Sequence, residues 1–508
     1  MVLPVAALAA GGNMTASTSL QALVGRGLAW SALNSLVLRV GNFLVGIFLA
    51  RILAPEQFGV FAVALTVQSV LMTLADLGMS TDLIRSENPA LKAPTVASLA
   101  AVSGATLSAV MASSAQNLAE LLGSKEAGPV IAVMALSLLL AGMGVVPFAS
   151  LQRNFAQKKL FIVAMVDFTV GNVFVVVLVL AGWGVMALAL GRLIAQALAL
   201  VLQFIVSGER IRFGFDPVQA PGILRYGIPV AGANLISWAL LNIDNVAVSR
   251  LAGPVALGFY FLAFNISNWP MSALGQIVRS VSIPAFAQMA RAKDNKALAA
   301  VTGPVSATSL LAGLLLAVLA QPIVEILYGQ SWLPAANILV WLGLFGAIRT
   351  VFDLAASYLL AWGAAKAALL VQTIWICTLA PAVFLGMHMA GPVGVAIAHI
   401  AVALFIVLPA YGWALRRTGT NIALIASRLW PPLLAASPAA GVAAAAVAMA
   451  PTPIGRLIAG GSAGCIVYGL MLTPWLRRRI HEARTWLSES SNPLTATNAK
   501  PADRLPRP

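Results

Sequence analysis

Arg39, Asp76, Asp244 and Arg279 each interrupt a long apolar run of the chain. On insertion scales a charge at the centre of a membrane-spanning helix costs about 2.5–3.5 kcal/mol, so each needs a reason to be there. A guanidinium offers a planar fork that pairs with phosphate oxygens and keeps its charge when partly desolvated. A carboxylate can accept a hydroxyl, a proton or a cation. The plainer reading is interfacial: Arg279 and Asp76 could reach one membrane surface, and Asp244 could pair with Arg250 or with water at the other. Arg349 and Asp353 stand four residues apart, hence on one helix face. They could neutralise each other or act as an ion-coupling pair that opens when substrate arrives. Asp167 and Arg192 could bridge neighbouring helices, but their expected depths differ and they rank lower. His399 reads as a hydrogen-bonded packing residue in preference to a proton carrier.

The elements that must position these groups follow from composition. The 508 residues are 60% hydrophobic and 9% charged, with a mean hydropathy of +0.92, which excludes a water-soluble globule. A hydrocarbon core of about 30 Å takes about 20 apolar residues as helix, and the chain divides into about fourteen such runs. Among them are 224–249 and 256–283, and 367–388 and 392–414. The expected class is an all-α polytopic membrane protein.

Lys and Arg concentrate in every second connection: Arg85 and Lys92, then Arg153, Lys158 and Lys159, then Arg210 and Arg212, and so on to Arg477, Arg478 and Arg479. About 24 of the 31 basic residues fall on one side, which the positive-inside rule makes cytoplasmic together with both termini. The formal charge of +15 thus reflects topology and contact with anionic membrane lipids, and no nucleic-acid partner is expected. Cys377 and Cys465 fall inside spans and imply no disulfide framework. The three histidines are too scattered for a metal site. Residues 1–23 are expected to be a cytoplasmic segment with Met1 or Met14 as the start, and 477–508 a basic and then disordered tail.

One corner is written twice. ARILAPEQFGVFAVA at 50–64 shares with SRLAGPVALGFYFLA at 249–263 an arginine, a proline, a glycine and an alanine: Arg51 and Arg250, Pro55 and Pro254, Gly59 and Gly258, Ala64 and Ala263, each pair 199 residues apart. Six spans separate the copies, so the two halves run in parallel topology. The expectation is two six-helix lobes, 24–207 and 224–416, joined by a cytoplasmic linker at 208–223 and related by a pseudo-twofold along the membrane normal. Two additional membrane helices at 417–476 complete the chain. Such a plan places a substrate site at the seam and permits alternating access. In the seventh run, Pro229 with Gly227 and Gly232 predicts a bend.

The run LARILAPEQFGVFAVALTVQSVLMTLADLGMSTDLIR resembles the opening of the polysaccharide transporters, the Wzx-type oligosaccharide flippases of the superfamily that also holds MurJ and the MATE exporters. LQRNFAQKKL resembles their basic connector, ILRYGIPVAGANLISWALLNIDNVAVSRLAGPVALGFYFLAFNISNWP their second half, and IVRSVSIPAFAQMAR the close of their eighth span. The resemblance covers about residues 20–420. It implies flipping of polyprenyl-(pyro)phosphate-linked oligosaccharide across the cytoplasmic membrane, and a central cleft lined by the helices that carry Arg39, Asp76, Asp244 and Arg279, the expected substrate-binding residues. It implies no cofactor beyond a coupling ion, H⁺ or Na⁺. The implied partners are the lipid-linked substrate, with a polysaccharide polymerase or glycosyltransferases as neighbours.

Physics asks the same of such a protein. A headgroup of hydroxyls and phosphate cannot enter hydrocarbon unpaired, because each bare polar group costs on the order of several kcal/mol there. A wet cleft with hydrogen-bonding walls is required. The alternative is a MATE-like ion-coupled exporter of small molecules, which would favour acidic and aromatic walls. An enzyme is not expected, because the outer connections are short and nearly uncharged.

Overall fold

The computed structural model describes residues 30, 33–210, 212–291 and 297–490; side chains at 233, 237, 240–241, 276–285, 287–291, 297, 300 and 479–490 lie outside the description. Arg279 is among the latter; of the expected terminal segments, 1–23 falls outside altogether, and the tail at 477–508 is described only to Ser490, as the end of one helix.

The described chain is helical, with no strand among the described residues. In order, α1 is Leu33–Ile52, α2 Pro55–Ala75, α3 Met79–Arg85, α4 Pro89–Ser113, α5 Ala115–Leu121, α6 Ala127–Arg153, α7 Gln157–Leu180 and α8 Val185–Ser207. Then come α9 Ala220–Arg291, α10 Ala297–Val318, α11 Ala320–Tyr328, α12 Pro334–Ala361, α13 Ala365–Val402, α14 Leu408–Arg417, α15 Ile422–Met449 and α16 Pro453–Ser490. Proline opens α2, α4, α12 and α16, where its missing N–H is one that a helix start leaves unpaired anyway.

Twelve helical segments among the described residues are long and apolar enough to cross a membrane. Two of the helices that carry them, α9 and α13, leave helical geometry partway. In α9 the backbone leaves helical geometry at Gly253, with φ +79°. Tyr260 nevertheless touches Asp244, sixteen residues earlier, whereas a straight helix would part them by about 24 Å. The chain therefore doubles back at Gly253. In α13 the same happens at Ala390 and Gly391, and Gly386 and Gly394 pack backbone to backbone across the fold. By contrast, α9 keeps helical dihedrals through Pro229. Gly227 serves close packing instead: its Cα lies against the Leu77 carbonyl, where a Cβ would collide.

The chain packs as two compact units. The first comprises 1–270, 324–345 and 369–409. Here α7 and α8 form a close hairpin, with Gly171 against Ala195 and Gly191 against Val175; small residues let backbones approach where lipid supplies no hydrophobic drive. Met79, Leu83, Val96, Ala100, Val145, Ala149 and Ile223 form a core where α3, α4, α6 and α9 meet.

The second unit comprises 271–323, 346–368 and 410–508. Ala307 and Leu314 of α10 pack there with Ala435 and Ala439 of α15 and Tyr468 and Leu472 of α16. The buried Tyr468 hydroxyl donates to the Ala307 carbonyl at 3.0 Å.

Within the first unit the repeated corners meet each other. Gly59 lies on the carbonyl of Pro254 and Gly258 on the carbonyl of Pro55, so each copy supplies the glycine that the other's proline turn needs. The arginines are exchanged as well. Arg51 donates through Nε to the Leu327 carbonyl at 2.9 Å and through its terminal nitrogen to Ile326, at the C-terminus of α11. Arg250 donates to the Leu121 carbonyl at the C-terminus of α5. A cation at a helix C-terminus contributes about 0.3–1 kcal/mol. Trp332, fully buried, donates from Nε1 to the Ala50 carbonyl at 2.7 Å and receives the rings of Phe58 and Phe259 edge-on, one from each corner.

Gly59→Ala and Gly258→Ala should each lower the Tm of the detergent-solubilised protein, by about 1–3 kcal/mol of overpacking or more. Gly469→Ala, where a Cβ meets nothing within 4 Å, should leave it unchanged. Equal Tm values for all three variants would refute the reciprocal contact.

Candidate functional site

The first unit contains a cavity of about 1180 Å³. Three helices contribute polar stripes at helical spacing. From α2 come Thr66, Ser69, Thr73 and Asp76, with Ser80 beyond the break; from α8 come Arg192, Gln196 and Gln203; from the first limb of α9 come Trp238, Asn242 and Asn245. Asn34 of α1, Gln152 of α6 and Asp167 of α7 complete the polar wall, and Phe148, Leu160 and Phe261 are among its apolar residues. Hydrogen bonds hold the stripes in register. Trp238 Nε1 donates to Ser69 Oγ at 2.8 Å, Gln196 Nε2 to the Ser137 carbonyl at 2.9 Å, and Gln68 Nε2 to Ser137 Oγ.

The charged members of this wall are Asp76, Asp167 and Arg192. Asp167 and Arg192 are both exposed in the cavity and close enough to attract each other, yet they form no salt bridge among the described residues. The difference in depth that set this pair low in the sequence is the arrangement found: the α7–α8 hairpin places Arg192 nearer its turn and Asp167 further along, both facing one space.

Asp76 is the expected site residue that lines the cavity, and it has a structural duty too. It ends α2, after which Leu77 and Gly78 take positive φ. Its carboxylate then accepts from Ser80 N at 3.1 Å and Ser80 Oγ at 2.8 Å, satisfying the start of α3. Arg39 is half-buried on α1 and is not among the lining residues.

Asp244 lies behind the wall, 1% exposed. It accepts from the Tyr260 hydroxyl at 2.7 Å, and its Oδ2 sits 3.4 Å from His399 Nε2. His399 is buried, with its ring 4.7 Å from that of Phe345. The partner considered for Asp244, Arg250, instead caps α5. Arg349 and Asp353 are half-buried one turn apart on α12, within the second unit.

The basic connectors gather at the cavity's other end from the corners, beyond the length of α2, about 30 Å. There Arg153 donates to the carbonyls of Ile84, at 3.0 Å, and Ser86. Lys92 pairs with Asp82 at 3.1 Å, and Arg85 lies over the Tyr226 ring and bonds its hydroxyl at 3.0 Å.

The helical arrangement is that of the transporter fold shared by MurJ and the MATE proteins. It matches the lipid II flippase MurJ in its inward closed conformation with a TM-score of 0.73, over 89% of this chain and all of that one, at 16% identity. An inward-facing multidrug resistance MATE family transporter matches at 0.60, over 76% of this chain and 95% of that one, also at 16% identity. Residues 48–337 match the family described as "Polysaccharide biosynthesis protein", and the chain belongs to that family. It is 27% identical over 480 residues to the succinoglycan biosynthesis transport protein ExoT of Rhizobium meliloti, 91% of this chain and 96% of that protein. It is 25% identical over 406 residues to the lipopolysaccharide biosynthesis protein WzxC of Escherichia coli, covering 76% and 79% respectively.

If the Asp76 carboxylate caps α3, Asp76→Ala should destabilise the protein by about 0.5–2 kcal/mol, read as a lower Tm, while Asp76→Asn, which retains an acceptor, should stay near wild type. Equal losses in the two variants would show that charge in the cavity, and not the cap, is what the position requires.

Proposed function

We propose that this chain moves polyprenyl-(pyro)phosphate-linked oligosaccharide from the inner to the outer leaflet of the cytoplasmic membrane, for the assembly of a cell-surface polysaccharide. One observation carries the reading: a cavity of about 1180 Å³ whose wall sets neutral hydrogen-bonding side chains from several helices, and three charged ones, among its apolar residues. Drug-sized ligands occupy pockets of about 300–1,000 Å³. A larger space furnished with Asn, Gln, Ser and Thr suits the many hydroxyls of a glycan. Family membership and the relatives named for succinoglycan and lipopolysaccharide biosynthesis support the same choice.

In this reading the lipid tail stays in the bilayer while the sugars enter the cavity. Arg192 draws the phosphate and Asp167 releases it, since a guanidinium held near a carboxylate but not locked to it can change partners. The basic connectors lie on the cytoplasmic side, as do both termini. The reciprocal corners close the outer end. The lobes at 24–207 and 224–416 would rock about the seam, with Arg39 and Arg279 completing the cationic path. Two protonatable groups are candidates for coupling to H⁺ or Na⁺: Arg349 with Asp353, and the buried Asp244 with His399. The protein acts as a transporter and not as an enzyme, beside the glycosyltransferases and polymerase that make and use its substrate.

A MATE-like export function remains the second reading, favoured by the two carboxylates in the wall. The test separates them. In cells whose surface polysaccharide depends on this protein, Arg192→Ala should cut display at least about tenfold at unchanged protein level, Arg192→Lys should restore part of it, and lipid-linked sugar should accumulate on the inner leaflet. Arg39→Ala should act in the same direction. Full display with Arg192→Ala and Arg39→Ala would sink the flippase reading, and loss of cation resistance with intact display would establish the exporter.

A further inference from the structure

A second cavity, of about 390 Å³, opens beside the first in the same unit. Its floor is apolar, including Pro94 of α4, Met143 of α6 and Phe204 of α8, and its mouth carries Glu209, Arg210 and Arg212 from the segment that follows α8. The acid is engaged: Glu209 accepts from Ser150 Oγ at 2.8 Å. Arg210 and Arg212 are exposed and make no hydrogen bond or ion pair among the described residues.

The segment is nevertheless fixed. Gly214 N donates to Ser98 Oγ at 3.1 Å, and Asp216 N to Thr95 Oγ1 at 3.1 Å, so it lies as a strap across α4. Around the arginines it exposes Phe213 and Phe215, at 61% and 66%. Apolar rings and arginines alternating just past the end of a membrane span form an interfacial pattern. The rings enter the acyl boundary and the cations stay at the headgroups. A basic pocket between membrane helices at that level suits an acidic lipid head.

We propose that this cavity binds an anionic diacyl phospholipid, with acyl chain against the apolar floor and the phosphodiester between Arg210 and Arg212. A volume of 390 Å³ falls in the range of small-ligand pockets, about 300–1,000 Å³. The strap belongs to the 208–223 linker, so a bound lipid would fasten that linker to α4, α6 and α8. The proposal stands whether or not the large cavity handles oligosaccharide.

The test is native mass spectrometry on the full chain in detergent, titrated separately with phosphatidylglycerol, phosphatidylcholine and undecaprenyl phosphate. Wild type should bind its first phosphatidylglycerol at least about tenfold more tightly than phosphatidylcholine. The double variant Arg210→Ala/Arg212→Ala should weaken that binding about thirtyfold, and Ala97→Trp, which fills the floor, should remove it with charge unchanged. Lys158→Ala/Lys159→Ala, on another basic connector, should have no effect. Equal wild-type affinity for the two phospholipids overturns the proposal irrespective of how any variant folds. Retention of phosphatidylglycerol by the double variant does the same, and displacement of phosphatidylglycerol by equimolar undecaprenyl phosphate would assign the pocket to the carrier lipid instead.

Discussion

Two glycines set against two proline carbonyls are the contact on which the first unit depends. Gly59 on Pro254 and Gly258 on Pro55 bring two helix starts together at backbone distance, which no residue with a Cβ would allow. That proximity puts Arg51 within reach of α11 and Arg250 within reach of α5, and it leaves a slot that Trp332 fills. Contacts of this kind do not need a hydrophobic drive, which lipid withholds; they rest on van der Waals fit and on backbone carbonyls finding donors. Because the helices are pinned at this end, they can diverge toward the basic end, and the large cavity occupies the space between them.

Polar side chains in that space are supported by one another. Ser69 holds Trp238, Ser137 holds both Gln68 and Gln196, and Asp76 holds Ser80. An unpaired amide or hydroxyl in an apolar medium costs about 1–3 kcal/mol by mutational measure, so these bonds also determine which faces of the cavity are left to a ligand. Asn242 Nδ2 donates to the Trp238 carbonyl and Asn245 Nδ2 to Asn242 Oδ1, so these two amides bond within α9.

Much of the fold was legible in the sequence because lipid imposes one simple rule: a run of about 20 apolar residues must be helix. The repeated corner was legible too, since Arg, Pro and Gly recur at fixed spacing. That the copies face each other was not, because spacing within one segment says nothing about which segment its glycine meets. The same limit explains the site. Arg39 and Asp244 stand out in the sequence as charges within apolar runs; the structure encloses Asp244 with Tyr260 and His399 and sets Arg39 off the cavity wall. Asp167 and Arg192 rank lower in the sequence for unequal depth, and the structure sets both on the wall of one cavity. The further signal is mostly neutral: Arg192, Gln196 and Gln203, four and seven residues apart, and Trp238, Asn242 and Asn245, four and three apart, each keep to one helix face, a polar stripe on helices that should have none. At Pro229 helical dihedrals continue, and Gly227 beside it packs against the Leu77 carbonyl.

The balance of charge in the large cavity bears on how a lipid-linked headgroup could pass through it. With Asp76 and Asp167 against Arg192, the wall is not a strong anion trap, and a strong trap would be a poor transporter, because a ligand held tightly in one state must be released from the other. A site shifts a conformational equilibrium only by its difference in affinity between states. A guanidinium attracted by a carboxylate has such a difference available: its pull on phosphate rises when the carboxylate moves away and falls when it returns. The neutral amides contribute affinity for hydroxyls with little dependence on that movement. In the proposed function the stripe of Asn and Gln would accommodate the sugars, and the distance between Asp167 and Arg192 would set how tightly the phosphate is held in each state.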